Sequence, residues 1–100
     1  MKNQKIGRKV VRSDPVEIFV ADEACVLICF VPRMSLDGFT ENPAVVVGIG
    51  SIPWPYGDES CPVLPIDREF RLHLEAGDVV MAVSPGDSLV SFSAIPERAL

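Results

Sequence analysis

The stretch "FRLHLEAGDVVMAVSPGDSLVSFSAIPE" (residues 70–97) decides the fold, because apolar runs alternate in it with short polar links. Its first part belongs to "DREFRLHLEA" (67–76), where the apolar residues Phe70, Leu72 and Leu74 alternate with the polar residues Arg71, His73 and Glu75. Such alternation predicts a β-strand with one face on a core and the other in water. Two further runs, "VVMAVS" (79–84) and "SLVSFSAI" (88–95), predict two more strands.

The links between these three strands both contain Gly-Asp. In "SPGD" (84–87), proline at the second position and glycine at the third are typical of a type II turn. The link "AGD" (76–78) predicts a similar reversal, so we expect the three strands to form an antiparallel meander. A calcium-binding roll is the alternative, but it needs several consecutive glycine-rich repeats, and this pattern occurs here only twice.

Three more candidate strands precede this region. They are "VEIFVA" (16–21), "ACVLICFV" (24–31) and "AVVVGI" (44–49). The second is a continuous apolar run, which favours a central strand buried on both faces. No segment repeats apolar residues at helical spacing over three turns, so we expect little or no helix. The sequence therefore predicts an all-β fold, a small antiparallel β-sandwich or barrel of six or seven short strands, in a single domain over residues 14–100.

The first 13 residues form a basic arm. Lys2, Lys5, Arg8, Lys9 and Arg12 supply five positive charges, whereas residues 14–100 carry four basic and fourteen acidic side chains. Residues 1–13 show no sustained period, so we expect a flexible arm that becomes ordered only against a partner. A solvated tail is the alternative. The acidic body would repel phosphate, so nucleic acid is expected to bind, if at all, only through the arm.

A second candidate binding element is the proline-rich loop that contains "IPWPYG" (52–57). It places Trp54, the only Trp, between Pro53 and Pro55, and Tyr56, the only Tyr, directly after Pro55. Aromatic side chains on a stiff loop are favoured anchors at interfaces, because little entropy is lost on docking. The alternative is that Trp54 folds back as a lid over the core.

Few residues suggest catalysis or metal binding. Cys25, Cys29, Cys61 and His73 could on paper form a zinc site or a Cys–His pair, but the first two lie in an apolar run and His73 lies on a polar strand face. The odd number of cysteines favours a reducing compartment. We therefore expect no catalytic, cofactor-binding or metal-binding residues, no cofactor and no enzymatic activity.

Residues 70–97 resemble the strands of capsid decoration (cement) proteins, small β-sandwich accessory proteins of tailed-phage particles. The matching features are a strand ending in "EAGD", a strand "VVMAVS", a short turn and a strand "LVSFSA", over about a quarter of the chain. The resemblance implies a non-enzymatic structural protein that docks on a viral shell in several copies, often as a trimer, and stabilises it. Its expected partner is then the major capsid protein or another large assembly, and its expected location is the virion, after synthesis in the host cytoplasm.

Two other classes stay open. One is a small cytoplasmic oligomeric binding module or adaptor, which would bind a peptide or small ligand. The other is a reduced cupin-like enzyme or metal-binding barrel, although a cupin needs several histidine ligands and this chain has one. The longest apolar run, residues 24–32, is about half as long as the ~20 residues of a membrane helix. The N-terminal stretch "MKNQKIGRKVVRS" (1–13) lacks the apolar segment of a signal peptide. We therefore expect no membrane partner.

Overall fold

The computed structural model of the chain describes residues 5–34, 42–50 and 61–99. These residues contain eight β-strands and one short 3-10 helix, Glu97–Ala99. The strands are β1 (Lys5–Val11), β2 (Val16–Val20), β3 (Cys25–Phe30), β4 (Val45–Ile49), β5 (Val63–Leu64), β6 (Glu69–Leu74), β7 (Val79–Val83) and β8 (Ser88–Pro96). The predicted all-β fold is confirmed, with β1 and the short β5 in addition to the strands expected from the sequence.

The strands form two four-stranded antiparallel sheets. Sheet A has the order β1-β8-β3-β6, and sheet B has the order β2-β7-β4-β5. The sheets pack face to face, and the rings of Phe19 in β2 and Phe92 in β8 meet across the interface with centroids 6.0 Å apart. The predicted β-sandwich is therefore confirmed.

The core lies between the two sheets and consists of the side chains on their inner faces. Sheet A contributes Cys25, Leu27 and Cys29 from β3, and sheet B contributes Val47 and Val80, among others. As predicted, β3 is a central strand, since it pairs with β8 on one side and β6 on the other.

A β-bulge in β2 places two consecutive side chains in the core, which simple alternation would not do. The register of β2 against β7 shifts between Glu17 and Phe19. An extra residue at a bulge changes which face the following side chains occupy. Ile18 and Phe19 consequently both lie in the core, while Val20 is exposed.

The predicted meander of the last three strands is wrong. Strands β6 and β8 both pair with β3 in sheet A, whereas β7 lies in sheet B between β2 and β4. The links after β6 and after β7 therefore cross between sheets. In the first link, Gly77 has a φ of 92° and the Asp78 carboxylate accepts a hydrogen bond from the Glu75 amide at 2.8 Å. In the second, Gly86 does not adopt a positive φ, so the expected type II turn is also corrected.

The expectation of a flexible arm over residues 1–13 is corrected for Lys5–Val11, which form the edge strand β1. This strand pairs with β8 along its whole length, from Lys5 opposite Ala94 to Val11 opposite Ser88. Val11 is completely buried in the core. The other β1 residues from Ile6 onward are at least partly exposed, because an edge strand has a neighbour on one side only. For that reason its sequence shows no clear alternation.

Gly7 allows β1 to lie close to the ring of Phe92 in β8. It lies opposite Phe92, and a Cβ atom on Gly7 would be 2.6 Å from the ring carbon Cζ of Phe92. A glycine whose neighbour's aromatic ring covers it is a known device for fixing strand register. The ring of Phe92 thus occupies the space that a side chain at residue 7 would need.

Polar side chains hold the connections outside the sheets. Asp67 has a φ of 60°, and its carboxylate accepts hydrogen bonds from the backbone amide of Arg33 at 2.8 Å and from Arg33 Nε at 3.0 Å. These bonds lower the pKa of Asp67 below its ordinary value of 3.8. The buried Asn42 donates to the carbonyl of Pro32 at 2.7 Å and accepts from the amide of Leu89 at 3.3 Å. Both residues therefore anchor the chain that follows β3.

We predict that Gly7→Ala lowers the free energy of unfolding by about 1–3 kcal/mol, the usual cost of forcing atoms into a filled space. Urea titration monitored by circular dichroism measures it. The Phe92→Leu background is the control, because a smaller side chain leaves room for the methyl group. An equal cost of Gly7→Ala in both backgrounds would show that the ring does not fill this space.

We predict that Asp67→Asn lowers the melting temperature at neutral pH and has little effect in acid. Asparagine tolerates the positive φ, so the substitution removes mainly the charge. Since the pKa of Asp67 is lowered in the folded state, the contacts with Arg33 stabilise the protein above the ordinary pKa and are lost as the pH falls through the lowered one. Melting curves of both proteins from neutral to acid pH measure this, and a difference that does not depend on pH would contradict it.

Candidate interaction surfaces

The structure separates the residues that could have formed a chemical site. Cys25 and Cys29 lie in the core between the sheets, whereas His73 is exposed on the opposite, outer face of sheet A, across from Val26. Burial raises the pKa of Cys29 to about 12, so its thiol stays protonated and is a poor nucleophile. Cys61 packs elsewhere, in a small buried cluster with Val46 and Val83. These four residues therefore do not converge on a zinc site or a Cys–His pair.

The described residues also offer no clustered metal ligands and no membrane-spanning helix. Within residues 5–34, 42–50 and 61–99, no three or more His, Cys, Asp or Glu side chains are grouped so that they could hold a metal ion. In the same part of the chain, no helix is both long and apolar enough to cross a membrane.

The basic residues of β1 do not form one cluster. Arg8 lies opposite Ser91 and Lys9 opposite Val90, so neighbouring positive charges point to opposite faces of sheet A. Arg12, just after the strand, makes an ion pair with Asp87 at 3.1 Å, and both side chains are well exposed. Such a pair is worth about 0–1 kcal/mol, but it partly neutralises the Arg12 charge.

Other predicted binding residues lie outside the described part of the chain. These are Lys2, the side chain of Lys5, and the loop residues Pro53, Trp54, Pro55 and Tyr56. The chain enters the loop at Gly50, which has a φ of 70° and donates from its amide to the carbonyl of Val79 at 2.8 Å. It returns at Cys61, which is buried.

Residues 1–4 and the proline-rich loop connect to the same end of the sandwich. Lys5 pairs with Ala94 near the end of β8, where Pro96 pairs with Cys25 at the start of β3. In sheet B, the last residue of β2, Val20, lies at this end because β3 begins soon after it. Val20 pairs with Val79, and the carbonyl of Val79 accepts the hydrogen bond from Gly50, so Gly50 also lies at this end. Residues 1–4 and 51–60 therefore join the described chain at one end, which we name the loop end.

A further surface is the outer face of sheet A, which the sequence analysis missed. Its side chains come from all four strands. They are Ile6, Arg8 and Val10 of β1, Leu89, Ser91, Ser93 and Ile95 of β8, Val26, Ile28 and Phe30 of β3, and Glu69, Arg71 and His73 of β6. The apolar run of β3 predicted burial on both sides, and Val26 is indeed buried, but Ile28 and Phe30 are partly exposed and Ile6 is 77% exposed.

The register arranges this face in rows across the strands. One row reads Arg8, Ser91, Phe30, Glu69, from β1 to β6. The next row reads Ile6, Ser93, Ile28, Arg71. Small serines thus lie beside large apolar side chains, and the first row has a positive residue at one edge and a negative one at the other.

Comparison with known proteins yields no match: no family model, curated protein or solved structure is significantly similar to the chain.

Proposed function

We propose that this protein is a non-enzymatic structural protein that docks on a larger protein assembly through its loop end. The observation that carries the proposal is the position of the two predicted binding elements. Residues 1–4, which contain Lys2, and residues 51–60, which contain Trp54 and Tyr56, are far apart in sequence, yet both join the sandwich at this end. One partner surface could therefore contact both.

The two elements would act in different ways. The chain has a formal net charge of −5, but Lys2 and Lys5 belong to a locally positive segment, so an acidic partner would be attracted to this segment over a distance that salt shortens. Trp54 and Tyr56 would act at short range, since burying an aromatic anchor at an interface is often worth ~2 kcal/mol or more. The charges would raise the association rate, and the aromatic side chains would lower the dissociation rate.

The specific form of the proposal is a capsid decoration protein, and it is supported by the resemblance of residues 70–97. A shell offers many identical sites, so it carries many copies once the free concentration of this chain exceeds the dissociation constant of a single site. Cys29 and His73 lie on opposite faces of sheet A, so these two residues do not form a Cys–His pair.

The test is sedimentation of particles from cultures that carry the gene. We predict that particles purified on a density gradient contain this chain in many copies, detected by quantitative mass spectrometry, and that raised salt releases part of it. A chain found only in the particle-free fractions would contradict the decoration role.

Variants added back to stripped particles test the loop end itself. Trp54→Ala should speed dissociation, and Lys2→Gln with Lys5→Gln should slow association and flatten its dependence on salt. Lys9→Gln is the matched control, because it removes a charge farther along β1. If Trp54→Ala lowers the melting temperature strongly and leaves binding unchanged, Trp54 belongs to the core and the assignment is wrong.

A further inference from the structure

We propose that two copies of this chain associate through the outer face of sheet A, around a twofold axis that runs parallel to the strands between β8 and β3. This pairing is separate from the loop end and does not depend on the proposed function. It rests on the register of the four strands, which makes the face complementary to itself.

The symmetry explains why the face would fit a second copy. A twofold axis along the strands reverses their order across the interface and leaves each residue in its row. β1 of one copy then faces β6 of the other, and β8 faces β3. Interfaces of this kind are isologous, so every contact occurs twice.

The first row becomes complementary in both charge and size. Arg8 of one copy lies opposite Glu69 of the second, and Phe30 lies opposite Ser91. All four residues are at least partly exposed. Large side chains facing small ones let two sheets interdigitate at the usual spacing of about 10 Å.

The second row follows the same rule. Ile28 lies opposite Ser93 of the second copy. Arg71 lies opposite the exposed Ile6, which the methylene groups of the arginine can cover while its guanidinium reaches water. Pairing would therefore cover Ile6, the most exposed large hydrophobic side chain among the described residues.

The size of the face sets the expected strength. Four strands span about 19 Å, and the rows from Leu89 to Ile95 span about 20 Å, so each copy offers about 400 Å². A standard stable interface buries about 800 Å² per partner. We therefore expect a weak dimer that forms in the micromolar range or above.

Charge reversal tests the geometry with the full chain. Arg8→Glu and Glu69→Arg each place like charges opposite one another twice in the dimer. We expect each to raise the dimer dissociation constant about tenfold or more at physiological salt, measured by sedimentation equilibrium. The double variant should restore dimerisation, and an equimolar mixture of the two single variants should form heterodimers.

This design separates the interface from effects within one copy. Arg8 and Glu69 of the same chain are three strands apart, about 14 Å, which is beyond the screening length of about 8 Å at physiological salt. Restoration by the double variant thus reports on contacts between copies. Lys9→Glu and Glu17→Arg are matched controls outside the face, and they should leave the dissociation constant unchanged.

Several results would overturn the proposal. A wild-type chain that stays monomeric at roughly 1 mM, or that forms trimers, has no such twofold pair. A dimer that both single variants leave intact, or that the double variant does not restore, uses another surface. Thermal melting of each variant shows whether it is folded, and the mixture of single variants remains informative if either one alone is slightly destabilised.

Discussion

The ring of Phe92 links three strands of the sandwich. It lies over Gly7 of β1, it projects from β8, and it meets Phe19 of β2 across the two sheets. Without this ring the edge strand would keep its backbone hydrogen bonds and Val11 but lose most of its contact with the core. Because β1 carries Arg8 and Lys9, the position of the charges near the N-terminus depends on the same contact.

The sequence predicts the fold class well because alternation reports directly on burial. In β6, Leu72 and Leu74 are buried and Arg71 and His73 are exposed, as the pattern of residues 67–76 requires. Alternation does not report on which strands pair. A link of four residues can make a hairpin or cross to the other sheet, and both leave the same faces buried, so the expected meander could not be distinguished from the observed arrangement.

The edge strand and the outer face of sheet A were harder to predict for a different reason. β1 has a neighbour on one side only, so most of its positions tolerate polar residues and show no period. The one signal is Gly7, whose role becomes visible only once Phe92 lies opposite it. Likewise, "ACVLICFV" (24–31) shows that β3 is apolar on both sides, but the rows that pair Phe30 with Ser91 and Glu69 need the strand register. The candidate surface thus depends on how the strands pair within the sheet and not on any local sequence motif.

Hydrogen exchange of the backbone amides, followed residue by residue by NMR, tests most directly whether Lys5–Val11, the larger part of the basic arm, form a strand. The structure predicts that, between Lys5 and Val11, the amides that point toward β8 exchange orders of magnitude more slowly than those of an unstructured peptide, while the alternate amides at the open edge exchange quickly. Uniformly fast exchange over the whole segment would contradict the account, since it would show that the basic residues form a flexible arm and that Phe92 does not hold β1 to the sandwich.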